Sequence, residues 1–196
     1  MNTIEKQWGV FYKDLDSIKN FNLNNGVFHE TLRHGYYPVQ AKIICSSFKN
    51  IPDLDITEVG CAYGGLCRKI HEIAKPKSYT VVDNRSMLRF ARNHLKGLNV
   101  SFVDATDVEK HFASLTDGKG LFISSFCISE TPREYQDYIL DVAIRKFGNL
   151  YVVDSDTATD YMQRLDAAIN AAFSEVIMSK YPQLMKATQY IGRLAK

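Results

Sequence analysis

The sequence predicts an α/β fold: a seven-stranded, mostly parallel sheet with helices on both faces and a C-terminal antiparallel hairpin. Three observations predict it. From about residue 53 onward, short β-type runs alternate with helical stretches, as a parallel sheet with crossover helices requires. The helix starts between those runs carry their own polar punctuation. After the last helical stretch, two strands follow with a connection too short for a parallel crossover.

The elements follow in order. Residues 1–52 are polar, Asn-rich near residues 20–25, and then form one amphipathic helix over roughly 31–48. We expect this part, 1–52, to be an N-terminal helical cap over the strand ends, with 53–196 as the main α/β domain. Strands are predicted at 55–59, 78–82, 99–103, 120–125 and 149–153. Leu66, Ile70 and Ile73 put one apolar stripe of the first crossover helix onto the sheet. Thr106-Asp107-Val108-Glu109 and Thr131-Pro132-Arg133-Glu134 both fit the capping box, with Pro132 at the first helical position. Tyr135, Tyr138, Ile139 and Val142 continue the second of these helices as a buried stripe. A further helix begins at Thr157-Ala158-Thr159-Asp160, with Tyr161, Leu165, Ile169 and Ala172 on one face. Strands at 173–178 and 188–194, joined around Pro182, complete the seven.

Composition narrows the function classes. The chain has 196 residues and is 45% hydrophobic, which suits one domain with a substantial core. A net charge of +2 supplies no broad field for polyanions, so no nucleic-acid partner is expected. No apolar stretch reaches the ~18–20 residues needed to cross a bilayer, and the first ten residues hold no secretory h-region. No membrane partner is expected. Cys45, Cys61, Cys67 and Cys127 form no C-x-x-C pair and match no zinc spacing. They read as small buried thiols of a reducing cytoplasm, with no metal. A homo-oligomer is compatible with this composition.

Chemistry concentrates at Glu58-Val59-Gly60-Cys61-Ala62-Tyr63-Gly64-Gly65, which follows a strand and opens a helix. In open α/β sheets this first turn is where ligands sit, and small residues let the backbone approach them. The second strand ends in Val81-Val82-Asp83, followed by Asn84. An acid about twenty residues beyond the glycines is placed to accept hydrogen bonds from two ribose hydroxyls. Together these indicate an adenosine-containing cofactor. Gly60-x-Ala62-x-x-Gly65 also loosely matches the dinucleotide fingerprint, so an NAD-dependent reductase is an alternative.

Glu58 to Gly64, Asp83 and the pair Asp104-Ala105 resemble successive motifs of class I S-adenosylmethionine (SAM)-dependent methyltransferases. More narrowly, the turn from Glu58 to Leu66 resembles the E-x-G-x-x-Y-G-G-L turn of a sugar O-methyltransferase group. Residues 121–130 with Arg133-Glu134 resemble that group's fourth strand and following helix start, and 31–37 its pre-domain helix. Ala62 replaces a common glycine of the pattern, and Ser125 stands where an Asn often occurs. The resemblance implies a Rossmann-like sheet and SAM as cofactor. It places Glu58 near the aminoacyl end and Asp104 near the adenine amino group. Gly60, Ala62, Tyr63, Gly64, Asp83, Asn84, Ala105 and Ser125 complete the implied cofactor set. Methylation of an oxygen on a small polar acceptor, a sugar or nucleotide-sugar, is the implied reaction. Another small metabolite, phosphorylated or not, and a SAM- or nucleotide-binding module without turnover are the alternatives.

A hydroxyl acceptor must lose its proton as it attacks, so a general base is expected. Glu130, just beyond the fourth strand, lies where the methyl group should emerge; a carboxylate there also suits the next helix N-terminus. His29 and His34 are the other candidates, because imidazole titrates near neutrality. His71, His94 and His111 are expected to be solvated. Arg33, Tyr36 and Tyr37 are candidates for contacts with cofactor carboxylate or substrate, and Trp8 and Tyr12 for lining an acceptor pocket.

Overall fold

The computed structural model describes residues 36–156, 159–180 and 187–194. Five parallel strands form most of the sheet: β1 (Asp55–Val59), β2 (Ser78–Asp83), β3 (Val100–Asp104), β4 (Leu121–Ser125) and β5 (Asn149–Ser155). β6 (Glu175–Lys180) and β7 (Ala187–Arg193) are antiparallel, and the order across the sheet is β3-β2-β1-β4-β5-β7-β6. The inner strands β4 and β5 are buried along almost their whole length because both faces are covered. In β4, Leu121, Phe122, Ile123 and Ser124 are all buried.

Helices pack on both faces. α1 (Tyr37–Ser47), α2 (Gly65–Ile73) and α3 (Arg85–His94) cover one, burying Ile44, Leu66, Ile70 and Leu88 against Ile56, Val81 and Ile123. α4 (Val108–Ala113), α5 (Arg133–Tyr138) and α6 (Thr159–Ala172) cover the other, where Phe112, Tyr135, Leu165 and Ile169 meet Phe122 and Val152. The described part of the N-terminal region, α1, thus lies along a sheet face, and its first turn reaches the strand ends. Its far end is tied down by Arg193, whose Nη2 donates to Ser47 O at 2.5 Å and Nη1 to Glu175 at 2.7 Å.

Several local expectations differ from the structure for identifiable reasons. Thr106 does not cap α4; Asp104 accepts from both its N–H (3.0 Å) and its hydroxyl (2.8 Å), making a separate 3₁₀ turn over Ala105–Asp107. Thr131 donates to Ile128 O at 2.7 Å instead of capping α5, and Pro132 precedes the first helical residue with extended ψ. Ile73 is 51% exposed, because α2 ends there beyond the edge of the packed stripe. Thr157, Ala158 and the Val142 side chain fall outside the described residues. Among the described residues, no helix is long and apolar enough to cross a membrane.

The histidines expected in solvent are half-buried. His71 Nδ1–H donates to Cys67 O at 2.8 Å, the His94 ring stands edge-on to Tyr63 at 4.9 Å, and His111 Nε2 is 3.1 Å from Thr57 Oγ1. Burial holds the pKa of His111 below the usual histidine range. All four cysteines are free; Cys61 and Cys67 are buried, Cys45 and Cys127 half-buried.

Candidate functional site

The turn between β1 and α2 is shaped by a contact no side chain could tolerate. Gly60 has φ +81°, and its N–H donates to Val82 O at 2.9 Å, extending the β1–β2 pairing by one residue. A Cβ there would lie 2.2 Å from Cys127 Cβ and 2.3 Å from its Sγ. Glycine is therefore required both by conformation and by space. Gly60→Ala is expected to destabilise the chain by at least ~2 kcal/mol, from the left-handed backbone plus overpacking. Urea unfolding would measure it. Adding Cys127→Gly should recover the packing part alone, and a neutral Gly60→Ala would contradict the geometry.

Asp83 joins this turn to the next one. Its Oδ2 accepts from Ala62 N–H at 2.8 Å, and its Oδ1 accepts from Asn84 N–H at 2.7 Å and Asn84 Nδ2 at 3.1 Å. Asn84 Oδ1 in turn accepts from Met87 N–H at 3.0 Å, capping α3. Ala62 is held at φ +49°, in the left-handed region, by this network. Burial pushes the Asp83 pKa up to about 6, against the opposing pull of the Asn84 and Ala62 amides. At neutral pH it is ionised, and of its about four acceptor positions these donors leave one open, on Oδ2.

A groove of about 270 Å³ opens over these turns at the carboxyl ends of β1, β2 and β4. Gly60, Ala62, Asp83 and Asn84 line it beside Val59, Val82, Met87 and Ala105, and Phe126, Cys127, Glu130, Thr131 and Tyr135 complete it. Apolar surface with a few placed polar groups is the usual make-up of a small-molecule site.

Glu130 sits on an exposed rim that is latched from two sides. Below it, Ser129 donates through both N–H (3.1 Å) and hydroxyl to Asp154, a fully buried acid at the end of β5. Beside it, Gln136 Nε2 donates to Thr131 O at 2.9 Å, while Arg164 donates to Gln136 Oε1 at 2.6 Å. Partial desolvation, with the Asp154 charge adding, raises the Glu130 pKa from its ordinary value.

The structure brings together half of the expected cofactor set: Gly60, Ala62, Asp83, Asn84 and Ala105. It directs the others elsewhere. Glu58 is buried on the α1–α3 side of the sheet, where Tyr79 O–H donates to its Oε2 at 2.8 Å. Tyr63 packs between His94 and Tyr37, and Gly64 begins α2 over Leu95. Asp104 binds Arg85 Nε at 2.5 Å and the Thr106 turn. Ser125 Oγ accepts from Gln40 Nε2 at 2.7 Å. Among the expected substrate residues, Tyr37 is buried with its ring against Gly65, and Tyr36 is half-buried one residue before α1. His29, His34, Arg33, Trp8 and Tyr12 lie outside the described residues. Reading the sequence missed Val59, Val82, Met87, Phe126, Cys127, Thr131 and Tyr135. Strand parity could have found the two valines, which precede the turn residues on the same face. Among the described residues, no group of three His, Cys, Asp or Glu side chains is arranged to hold a metal ion.

No known family pattern and no curated protein sequence matches this chain. Solved structures do. The methyltransferase domain of bacterial CtHen1-CN superposes with a TM-score of 0.63 at 12% identity, covering 79% of this chain and 97% of that one. The N-terminal domain of EvdMO1, solved in the presence of S-adenosylhomocysteine (SAH) and D-fucose, gives 0.62 at 17% identity, covering 83% and 84%. Human N-acetylserotonin methyltransferase in complex with SAM gives 0.60 at 14% identity, covering 86% of this chain and 55% of that one. The fold is the Rossmann-like fold that these methyltransferases share, a seven-stranded mixed sheet closed by a C-terminal antiparallel pair.

Proposed function

We propose that the chain is a SAM-dependent methyltransferase acting on an oxygen of a small polar acceptor, a sugar or nucleotide-sugar. The observation that carries the reading is the Gly60–Asp83 arrangement: a bare backbone opening onto a groove beside an ionised acid fixed by two backbone amides. The residues fit the cofactor. Asp83 supplies an acceptor for a ribose hydroxyl, Ala105 and Met87 supply apolar surface for a base, and Gly60, whose missing side chain makes room for Cys127, presents bare backbone to the groove where the sulfonium portion would lie. When bound, SAM supplies an electrophilic methyl group, so the protein must align the acceptor and take its proton. Glu130 is assigned as that base. It stands on the groove rim, its neighbours are held by Asp154 and Gln136, and its basicity is raised. The sugar assignment is supported by the turn's resemblance and by the D-fucose present with EvdMO1, a protein of the same fold. The N-terminal region, residues 1–52, is proposed to contribute the acceptor side, with the first turn of α1 reaching the end of β4.

Glu130→Gln is expected to lower kcat by about a hundredfold or more on an identified acceptor, with SAH affinity unchanged. A panel of sugars and nucleotide-sugars with tritiated SAM would identify that acceptor. Full turnover by the variant would move the base elsewhere.

A further inference from the structure

A second cavity, of about 290 Å³, opens between α6 and the β6–β7 pair and shares no lining residue with the groove. From α6, Met162, Gln163 and Asp166 face it, at the three- and four-residue spacing of one helical face. Thr188 and Tyr190 of β7 and Lys180 of β6 face it from the sheet, with Asp156 just beyond β5. One part of the lining already holds an ammonium group, the chain's own. Lys180 Nζ donates to Asp156 Oδ2 at 2.6 Å and to Thr188 Oγ1 at 3.1 Å, while the Thr188 hydroxyl donates to Asp156 Oδ1 at 2.6 Å.

The Asp166 side has no such occupant. Among the described residues, only Asn170 donates to the Asp166 carboxylate, from Nδ2 to Oδ1 at 3.1 Å, so Oδ2 is open. Tyr190 is 3% exposed, yet among the described residues no group hydrogen-bonds its hydroxyl. A polar group so enclosed ordinarily finds a partner, and the open side here is the cavity. Burial, with the charges of Asp166 and Asp156 adding, pushes the Tyr190 pKa up to about 12, so the phenol stays neutral. Met162 supplies apolar surface beside these oxygens. Met178, 61% exposed and opposite Tyr190 across the β6–β7 pair, extends it.

We propose that this cavity binds a primary alkylammonium ion, with Asp166 Oδ2, Gln163 Oε1 and the Tyr190 hydroxyl oxygen accepting its three N–H bonds. The alkyl stem lies over Met162 and Met178. Two acids against one lysine leave the lining net negative, which favours a cation over an anion. The site is separate from the groove and does not depend on the SAM reading.

Methyl NMR of the full chain, labelled at the methionine methyl carbons, tests it, because Met162 lines this cavity and Met87 lines the groove. Titration with n-butylammonium chloride at constant ionic strength should shift Met162 saturably and leave Met87 in place. Tetramethylammonium, which carries the charge but no N–H donor, should bind at least about tenfold more weakly. Asp166→Asn should weaken butylammonium binding about tenfold or more, through loss of a charge-assisted hydrogen bond. Tyr190→Phe should weaken it about threefold, and Lys180→Gln, which frees Asp156, should tighten it. An unmoved Met87 signal shows that each variant is folded. No saturable shift at Met162, equal binding of tetramethylammonium, or full affinity in Asp166→Asn would overturn the proposal. A Met162 shift produced by sulfate and abolished by Lys180→Gln would also overturn it, making the cavity an anion site.

Discussion

Asp83→Ala is expected to weaken SAH binding by about tenfold or more. One ribose hydroxyl donating to the open position on the ionised acceptor contributes ~1.5–3 kcal/mol. The variant also releases the Ala62 and Asn84 amides, which Asp83 now holds at 2.8 and 2.7 Å. The left-handed Ala62 then loses the contact that fixes it. Calorimetry at neutral pH measures the loss, and an affinity within about threefold of wild type in a folded variant would remove Asp83 from the site. A pH dependence accompanies the prediction. Burial places the Asp83 pKa at about 6, so wild-type affinity should decline as the pH falls through 6 and the acceptor becomes protonated.

The second large effect is on stability. Glu58 is fully buried, and burial pushes its pKa up to about 8, with the Tyr79 hydrogen bond opposing and the Asp83 charge adding. The folded chain therefore holds this proton more tightly than the unfolded chain, whose glutamate titrates near 4.5. The stabilisation is fully present below about 4.5 and is lost as the pH rises through about 8. The upper bound on the loss is ~5 kcal/mol, reduced by any water that reaches the site. Glu58→Gln keeps an oxygen for the Tyr79 hydroxyl and cannot ionise. Its melting temperature should exceed that of the wild type at pH 9, and the two should converge near pH 5. Parallel pH profiles for the two proteins would contradict a neutral Glu58 at physiological pH.

The sheet was legible in the sequence because its signals are local. Apolar runs bounded by turn residues gave all seven strands to within two residues at most ends, and the glycine turn fell where the first strand meets the first helix. The capping boxes were misread because side chains chose other local partners: Asp104 claimed Thr106, and Ile128 O claimed Thr131. Glu58 shows what a motif leaves out. Strand alternation puts it on the same face as Ile56, away from Val59 and the groove, although its place in the pattern suggested a ligand contact. Asp154 was hidden behind the apolar run that precedes it. Its partnership with Ser129, 25 residues earlier, is a product of the β4–β5 pairing rather than of either segment. The Arg164–Gln136–Thr131 latch and the Gln40–Ser125 bond likewise join distant segments, and no spacing in the chain announces them.

The most direct test is calorimetric titration of the full chain with SAH and, separately, with NAD. Saturable binding of SAH at one molecule per chain, abolished or strongly weakened by Asp83→Ala and absent with NAD, is the predicted result. Binding of NAD with no heat from SAH would contradict the assignment of the groove.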